Sequence, residues 1–195
     1  RELAGLPVAR VRAVEGDWHA QRRGDGASSA LLTFAGGTAA SLTYSGYAHY
    51  DSDELVGWVP ELGHEKNASD YGVARRQFDR LTEATEQNTK EARTYRHGAA
   101  SPLPKHNEHF GFVLVSCERA DLRLIPDGIF IYGDEAREFE PVPAAPIPRM
   151  HVLDTFVRAI LDGDRVDRHA AWGLETLRCC AALVRSSETS AEICF

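Results

Sequence analysis

The chain has 195 residues and a hydrophobic content of 43%, which is enough for a sizeable core and favours a single domain over residues 1–195. Its 29 acidic and 22 basic residues give a formal net charge of −7. This charge disfavours nucleic acid or an anionic membrane as a partner, because both bind basic surfaces. The four cysteines form no CxxC pair and are typical of free thiols in a reducing cytoplasm.

The N-terminal part of the chain predicts three strands. Apolar and polar residues alternate from Pro7 to Val14, as in a first strand. Ala30–Phe34 and Thr38–Tyr47 are separated by Ala35-Gly36-Gly37, whose glycines suit the turn of a hairpin. These segments predict an antiparallel start to the fold.

The middle of the chain begins with a long acidic and aromatic segment, Ala48–Asp70, which has no sustained period. A loop of this length within a compact domain is usually functional or disordered, and its apolar residues argue against disorder. The polar segment Tyr71–Tyr95 permits a helix, and His97–Asn107 is a proline-containing connector.

The centre of the sheet is predicted as a meander of three strands, Phe112–Cys117, Asp121–Ile125 and Gly128–Tyr132. Pro126-Asp127-Gly128 is a turn sequence, because proline presets one dihedral angle and glycine tolerates unusual ones. A fourth short strand is predicted near Glu138–Val142. No apolar run approaches the ~20 residues that a membrane-spanning helix requires.

The C-terminal part predicts two helices. Apolar residues recur every three to four positions from Met150 to Leu161, and a second helix over Ala170–Val184 is predicted to be capped by Asp167. Strands followed by helices indicate an α+β fold, a predominantly antiparallel open β-sheet with helices packed on one face.

Several polar residues are candidates for binding a hydroxylated, carboxylated small molecule. Most have a simpler interpretation: a solvated acidic loop around residue 50, a wet helix face for the arginine pair, and a cap neighbour for the last histidine. The predicted substrate-binding set is His49, Asp51, Arg75, Arg76, His106, His109 and His169.

No complete active site is visible in the sequence. The spacing of His106 and His109 could suit a metal, but it lacks the HExxH pattern and a third ligand. GxSxG, GxGxxG and GxxxxGK[ST] motifs do not occur. The sequence therefore predicts no catalytic residue, no metal site and no cofactor site within this chain.

Three stretches together resemble the C-terminal domain of the Gfo/Idh/MocA oxidoreductases. They are Ala30–Glu54 (ALLTFAGGTAASLTYSGYAHYDSDE), Gly111–Gly133 (GFVLVSCERADLRLIPDGIFIYG) and Trp172–Ser187 (WGLETLRCCAALVRSS). Within this family, SCERADLR followed by PDGIFIYGDE is similar to the branch of phthalate 4,5-cis-dihydrodiol (4,5-dihydroxyphthalate) dehydrogenases. The resemblance covers most of the chain.

The resemblance implies that full-length members carry an N-terminal Rossmann domain for NAD or NADP, absent from this chain. The present domain would bind a small-molecule substrate and form homo-oligomers through its open sheet face. The family's glycine-rich fingerprint and its catalytic lysine, aspartate and histidine would lie upstream, with Arg1-Glu2-Leu3 as the tail of the last upstream helix. None of those catalytic residues is expected in this chain.

Three hypotheses follow. The first is the substrate-binding and dimerisation domain of an NAD(P)-dependent dehydrogenase acting on a cyclic diol or polyol, such as a dihydrodihydroxyphthalate, with the isolated chain inactive. The alternative is a stand-alone α+β binding or scaffold module without catalytic activity. The third is a metal-dependent enzyme that uses His49, Asp51, His106 and His109.

Overall fold

The computed structural model describes residues 1–18, 26–47, 49–70, 72–73, 76, 85, 88, 103–147, 149–166 and 168–195. The chain divides into two compact units, one formed by Arg1–Ala48 with Arg158–Phe195 and the other by His49–Val157. Each unit is described by itself below. The single domain over residues 1–195 stays a prediction.

The described residues form two antiparallel four-stranded sheets and two α-helices, which confirms the predicted α+β class. The first sheet has the order β3-β2-β1-β8 and the second the order β4-β5-β6-β7. A short 3-10 helix spans Ser52–Val56. The strands are β1 Val8–Gly16, β2 Ala27–Phe34, β3 Ala39–Ser45, β4 Val113–Ser116, β5 Asp121–Ile125, β6 Gly128–Tyr132, β7 Arg137–Pro141 and β8 Ile193–Cys194, and the helices are α1 Met150–Leu161 and α2 Ala170–Thr189.

The core of the first unit lies between the first sheet and α2. Val11 pairs with Leu32, and Ala13 pairs with Ala30, so these side chains share one sheet face. Ala182 of α2 packs in the same cluster. Small side chains on both elements let the helix approach the sheet closely, and burial of this apolar surface stabilises the contact.

Two serines of α2 complete the edge of β1 where β8 ends. Strand β8 pairs only with Arg10 and Val11, so the backbone beyond them has no strand on that side among the described residues. The Ala13 N–H donates to Ser186 Oγ at 2.9 Å, and the Glu15 N–H donates to Ser187 Oγ at 2.8 Å. Helix side chains thus replace the missing ladder bonds.

The second sheet presents two different faces. Paired residues in an antiparallel sheet lie on the same face, and the register places six aliphatic side chains together. They are Val113, Val115, Leu122, Leu124, Ile129 and Ile131. Arg123 pairs with Leu114 and Phe130, so these three lie on the opposite face.

Gly128 begins β6 at a point of close backbone approach. A Cβ atom at this position would lie 2.3 Å from the Glu140 carbonyl oxygen and 2.8 Å from the Phe139 ring. Because a real Cβ cannot approach a backbone oxygen so closely, the position requires glycine. The predicted turn at Pro126-Asp127 is present, and Ile125 pairs with Gly128 across it.

Two details differ from the sequence prediction. The hairpin of β2 and β3 and the central meander were expected in one broad sheet, but they belong to separate four-stranded sheets. The cap of helix α2 is His169, whose ring accepts from the Trp172 N–H; the predicted cap, Asp167, lies outside the described residues. Most of the helix predicted over Tyr71–Tyr95 also lies outside them.

No helix among the described residues is long and apolar enough to span a membrane.

The Ser186 side chain is fully buried, and its hydroxyl also donates to the Ala191 carbonyl oxygen at 2.6 Å. We expect Ser186→Ala to lower the free energy of unfolding by about 1–3 kcal/mol, because it leaves the Ala13 N–H buried without an acceptor. Urea denaturation measures this loss. Ser41→Ala, at an exposed position of β3, is the control and should change stability by less than about 0.5 kcal/mol. Equal losses in the two variants would contradict the role of Ser186.

Candidate functional site

A cavity of about 550 Å³ lies within the unit His49–Val157. A volume of this size suits a small organic ligand. Its walls combine aromatic and aliphatic side chains with five ionisable ones. The lining residues are Val56, Gly57, Trp58, Val59, Glu65, Lys66, His106, Arg123, Ile125, Pro126, Asp127 and Phe130.

One wall is the segment 51–66, which Lys66 closes on itself. Asp51 caps the 3-10 helix by accepting from the Asp53 N–H at 3.2 Å. Lys66 Nζ donates to the carboxylates of both Asp51 and Asp53, the latter at 3.2 Å. Burial opposes the charged form of Lys66, but the two carboxylates outweigh it and raise the pKa of the ammonium group. Lys66 is therefore cationic and already paired.

Trp58, in the same segment, has a sparsely populated backbone conformation. Its φ is 63°, which is uncommon for a large side chain. The Trp58 N–H donates to the Asp53 carbonyl oxygen at 2.7 Å, and the Trp58 carbonyl oxygen accepts from the Lys66 N–H at 2.9 Å. Non-glycine residues with such dihedral angles are found preferentially at ligand sites, and Trp58 lines the cavity.

Arg123 projects from β5 and reaches the segment 51–66. Its Nη2 donates to the Leu55 carbonyl oxygen at 2.6 Å, and its guanidinium lies 5.8 Å from the centre of the Phe112 ring. Its Nε is buried without a hydrogen-bond acceptor. The side chain is thus held in place by a neutral carbonyl group and keeps an unused donor.

His106 forms the third polar group of the cavity. Its Nδ1 lies 2.5 Å from Asp127 Oδ1, and its Nε2 lies 3.7 Å from Glu65 Oε1. The hydrogen bond with Asp127 raises the pKa of His106, and burial opposes this only in part. Nε2 is buried without a hydrogen bond, since 3.7 Å is an ion-pair distance and too long for one.

Neutral hydrogen bonds fix the backbone around His106. Asn107 Nδ2 donates to the Pro126 carbonyl oxygen at 2.9 Å and to the Val142 carbonyl oxygen at 2.8 Å. The His106 N–H donates to the Gly63 carbonyl oxygen at 3.3 Å. A Cβ at residue 63 would lie 2.3 Å from the His106 carbonyl oxygen, so only glycine permits this approach.

The structure places one of the predicted site residues, His106, in the cavity wall. Asp51 does not line the cavity but accepts a hydrogen bond from Lys66, which does. His49 and Arg76 are exposed and do not line it. Arg75 lies outside the described residues.

The two remaining predicted histidines have other surroundings. His109 is partly buried, and its Nε2 has no hydrogen-bond partner. Burial lowers the pKa of His109, and a hydrogen bond with the Gly111 backbone opposes the shift. His169 belongs to the other compact unit, where its Nδ1 accepts from the Trp172 N–H at 3.4 Å. The role of these residues in substrate binding stays a prediction.

Sequence reasoning missed most of the cavity. In the sequence, Arg123 is only a position within the predicted strand Asp121–Ile125, and Asp127 is only a residue of the predicted turn. Lys66 lies in an acidic segment without a period, and its positive charge among acidic residues is the only feature of the sequence that indicates a role for it. Among the described residues no three His, Cys, Asp or Glu side chains cluster as metal ligands would.

No protein-family model matches the chain. The chain is 38% identical over 194 residues to 1-carboxy-3-chloro-3,4-dihydroxycyclohexa-1,5-diene dehydrogenase of Comamonas testosteroni, covering 96% of this chain and 49% of that protein. It is 34% identical to a proposed dehydrogenase of Bordetella bronchiseptica RB50, with a TM-score of 0.82 over 98% of this chain and 50% of that one. The structural neighbours are oxidoreductases of the Gfo/Idh/MocA type. The chain spans about half the length of the relatives it matches.

More distant structures share the fold alone. Aldose-aldose oxidoreductase of Caulobacter crescentus, in complex with glycerol, is 15% identical with a TM-score of 0.61 over 100% of this chain and 43% of that one. The two matches at 38% and 34% identity, not these distant ones, confirm the resemblance inferred from the sequence.

The environments of the two histidines predict opposite titrations. We expect His106 to titrate above and His109 below the ordinary histidine pKa of about 6.5, as measured by NMR. Asp127→Asn should lower the pKa of His106, whereas Asp121→Asn, at an exposed position, should not change it.

The ion pair of His106 with Asp127 predicts a stability that depends on pH. Because folding raises the pKa of His106, the stabilisation is complete below the pKa of an unfolded histidine and is lost as pH rises through the raised value. The free energy of unfolding of the wild type should therefore be higher than that of Asp127→Asn by about 0.2–1 kcal/mol near pH 5.5. This difference should shrink at high pH. A difference that grows with pH would contradict the ion pair.

Proposed function

We propose that this chain is the substrate-binding part of a nicotinamide-dependent dehydrogenase that acts on a cyclic diol. In this proposal the cofactor is bound by the half of the related dehydrogenases that this chain does not match. The hydride passes between that cofactor and a ring carbon of a substrate seated in the cavity. The chain alone is expected to lack dehydrogenase activity.

The observation that carries the proposal is the composition of the cavity wall. Trp58 and Phe130 supply flat apolar surface, while His106, Lys66 and Arg123 supply donors from different segments. Sites for small ligands commonly combine mostly apolar walls with a few placed polar groups. A ring that carries hydroxyl groups matches this combination, because its faces are apolar and its edge forms hydrogen bonds.

Similarity supports the same substrate class. The name of the Comamonas testosteroni relative describes a cyclic diene with two hydroxyl groups and one carboxyl group. A phthalate-type ring, suggested by the sequence, would carry two carboxyl groups. For the cofactor, structural neighbours include an Agrobacterium radiobacter oxidoreductase bound to NAD+ and a levoglucosan dehydrogenase bound to NADH.

Within the predicted residue set, the proposal assigns substrate contact to His106. Asp51 acts through Lys66, whose ammonium group it holds at the cavity wall. His49, Arg75, Arg76, His109 and His169 remain predicted ligands that require a test in a longer protein. The cytoplasmic location also stays a prediction.

The test is a titration of the 195-residue chain with 3,4-dihydroxybenzoate, a stable ring with two hydroxyl groups, and separately with NADH and NADPH. We expect the ring compound to shift the NMR signals of Trp58 and His106, and the dinucleotides to give no binding at micromolar concentration in calorimetry, since no glycine-rich turn opens a helix to hold a pyrophosphate. His106→Gln should weaken ring binding about tenfold, and His151→Gln, at an exposed position of α1, should not. Micromolar binding of NADH would overturn the assignment.

We also propose that the protein forms a homo-oligomer through the second sheet. The six aliphatic side chains of one face, defined above, are contiguous in the register and all partly exposed. Contiguous apolar patches on soluble proteins commonly mark contact surfaces. A two-fold contact would bury this face on both copies.

Light scattering at micromolar concentration should give at least twice the chain mass of 21.5 kDa. Ile131→Glu should reduce the mass towards the monomer, because it places a charge in the aliphatic face. Leu114→Glu is the control, since Leu114 lies on the opposite face and is 50% exposed. A wild-type mass of one chain, or equal effects of both variants, would refute association through this face.

A further inference from the structure

The ionisable groups that line the cavity have partners of opposite charge, with one exception. Lys66 pairs with Asp51 and Asp53. His106 pairs with Asp127, and Glu65 pairs with Lys105 at 3.2 Å. Among the described residues, Arg123 is the lining cation without a carboxylate partner, because it contacts the Leu55 carbonyl oxygen and the Phe112 ring.

The position of Arg123 is set by groups that leave its charge uncompensated. The hydrogen bond to Leu55 uses one N–H of Nη2, and the ring of Phe112 restricts the guanidinium without neutralising it. The N–H of Nε has no acceptor, although a buried donor without an acceptor costs about 1–3 kcal/mol. A cation that is held in place and keeps unused donors is suited to bind an anion.

A carboxylate on the ligand would compensate the charge of Arg123 and give its Nε–H an acceptor. It would supply the opposite charge and the missing acceptor together, because a guanidinium fork matches the two oxygens of a carboxylate. Nε has almost no accessible surface in this conformation, so its contact requires a small rotation of the guanidinium towards the cavity.

We propose that Arg123 is the carboxylate anchor of the cavity, and that the cavity selects a hydroxylated ring with one carboxylate group. This inference rests on the proposed function and narrows its substrate class. A second carboxylate would face Lys66 and His106, which already have carboxylate partners. Burial of a charge without a free partner is unfavourable, so a dicarboxylate should bind less tightly.

Three ring compounds with adjacent hydroxyl groups separate the possibilities: catechol without a carboxylate, 3,4-dihydroxybenzoate with one and 4,5-dihydroxyphthalate with two. NMR titration of the 195-residue chain gives their dissociation constants. We expect 3,4-dihydroxybenzoate to bind at least about tenfold more tightly than catechol, the effect of one charge-assisted hydrogen bond. It should also bind more tightly than the dicarboxylate.

Variants of Arg123 test the residue. Arg123→Gln should remove the advantage of 3,4-dihydroxybenzoate over catechol, and Arg123→Lys, which keeps the charge but not the fork, should restore it in part. Arg119→Gln removes the same charge at an exposed position between β4 and β5 and should leave the advantage intact.

A direct readout in the wild-type chain avoids any loss of folding in the variants. The Nε–H signal of Arg123 should move downfield with 3,4-dihydroxybenzoate and stay in place with catechol. Equal binding of these two compounds would overturn the anchor while leaving the cavity as the ring site. Absence of binding by all three compounds would overturn both the ring site of the proposed function and this inference.

Discussion

The cavity depends on the ion pairs of Lys66 with Asp51 and Asp53. These three residues lie within one acidic segment, and the contact between them closes that segment into a wall. Without the ammonium group, two nearby carboxylates would repel each other across the start of the 3-10 helix. The backbone hydrogen bonds of Trp58 with Asp53 and Lys66 connect the same two ends of the segment. Charge pairing thus holds together a segment whose only regular element among the described residues is the short 3-10 helix Ser52–Val56.

The two faces of the second sheet carry different side chains, because successive residues of each strand point to opposite faces. One face carries the six aliphatic side chains, and the other carries Arg123 and Phe130 next to the cavity. Because neighbouring residues of a strand point to opposite faces, Leu122 and Leu124 flank Arg123 in sequence but lie on the other side of the sheet. A single short strand therefore contributes both to an apolar surface and to a polar site.

Local patterns in the sequence predicted the elements of the fold well. Strands β5 and β6 have the predicted bounds, Asp121–Ile125 and Gly128–Tyr132, because alternation and turn residues act over a few positions. The division into two sheets was not predicted, since sheet membership depends on contacts between distant segments. The same limit applies to the cavity: Arg123 meets Leu55 across 68 positions, and no periodicity encodes such a contact. His106 was predicted from its residue type, whereas its partner Asp127 could be identified only from the fold.

The surroundings of His106 show why its geometry and its charge are controlled separately. Its backbone is held by Gly63, and the next residue, Asn107, is held by the carbonyl groups of Pro126 and Val142. These bonds are between neutral groups and do not change when the imidazole titrates. The carboxylates of Asp127 and Glu65 couple to the proton, and the backbone carbonyl of Asp127 accepts from the Val142 N–H at 2.9 Å. A change of pH therefore alters the charge of His106 at the cavity wall while the backbone that positions it stays in place.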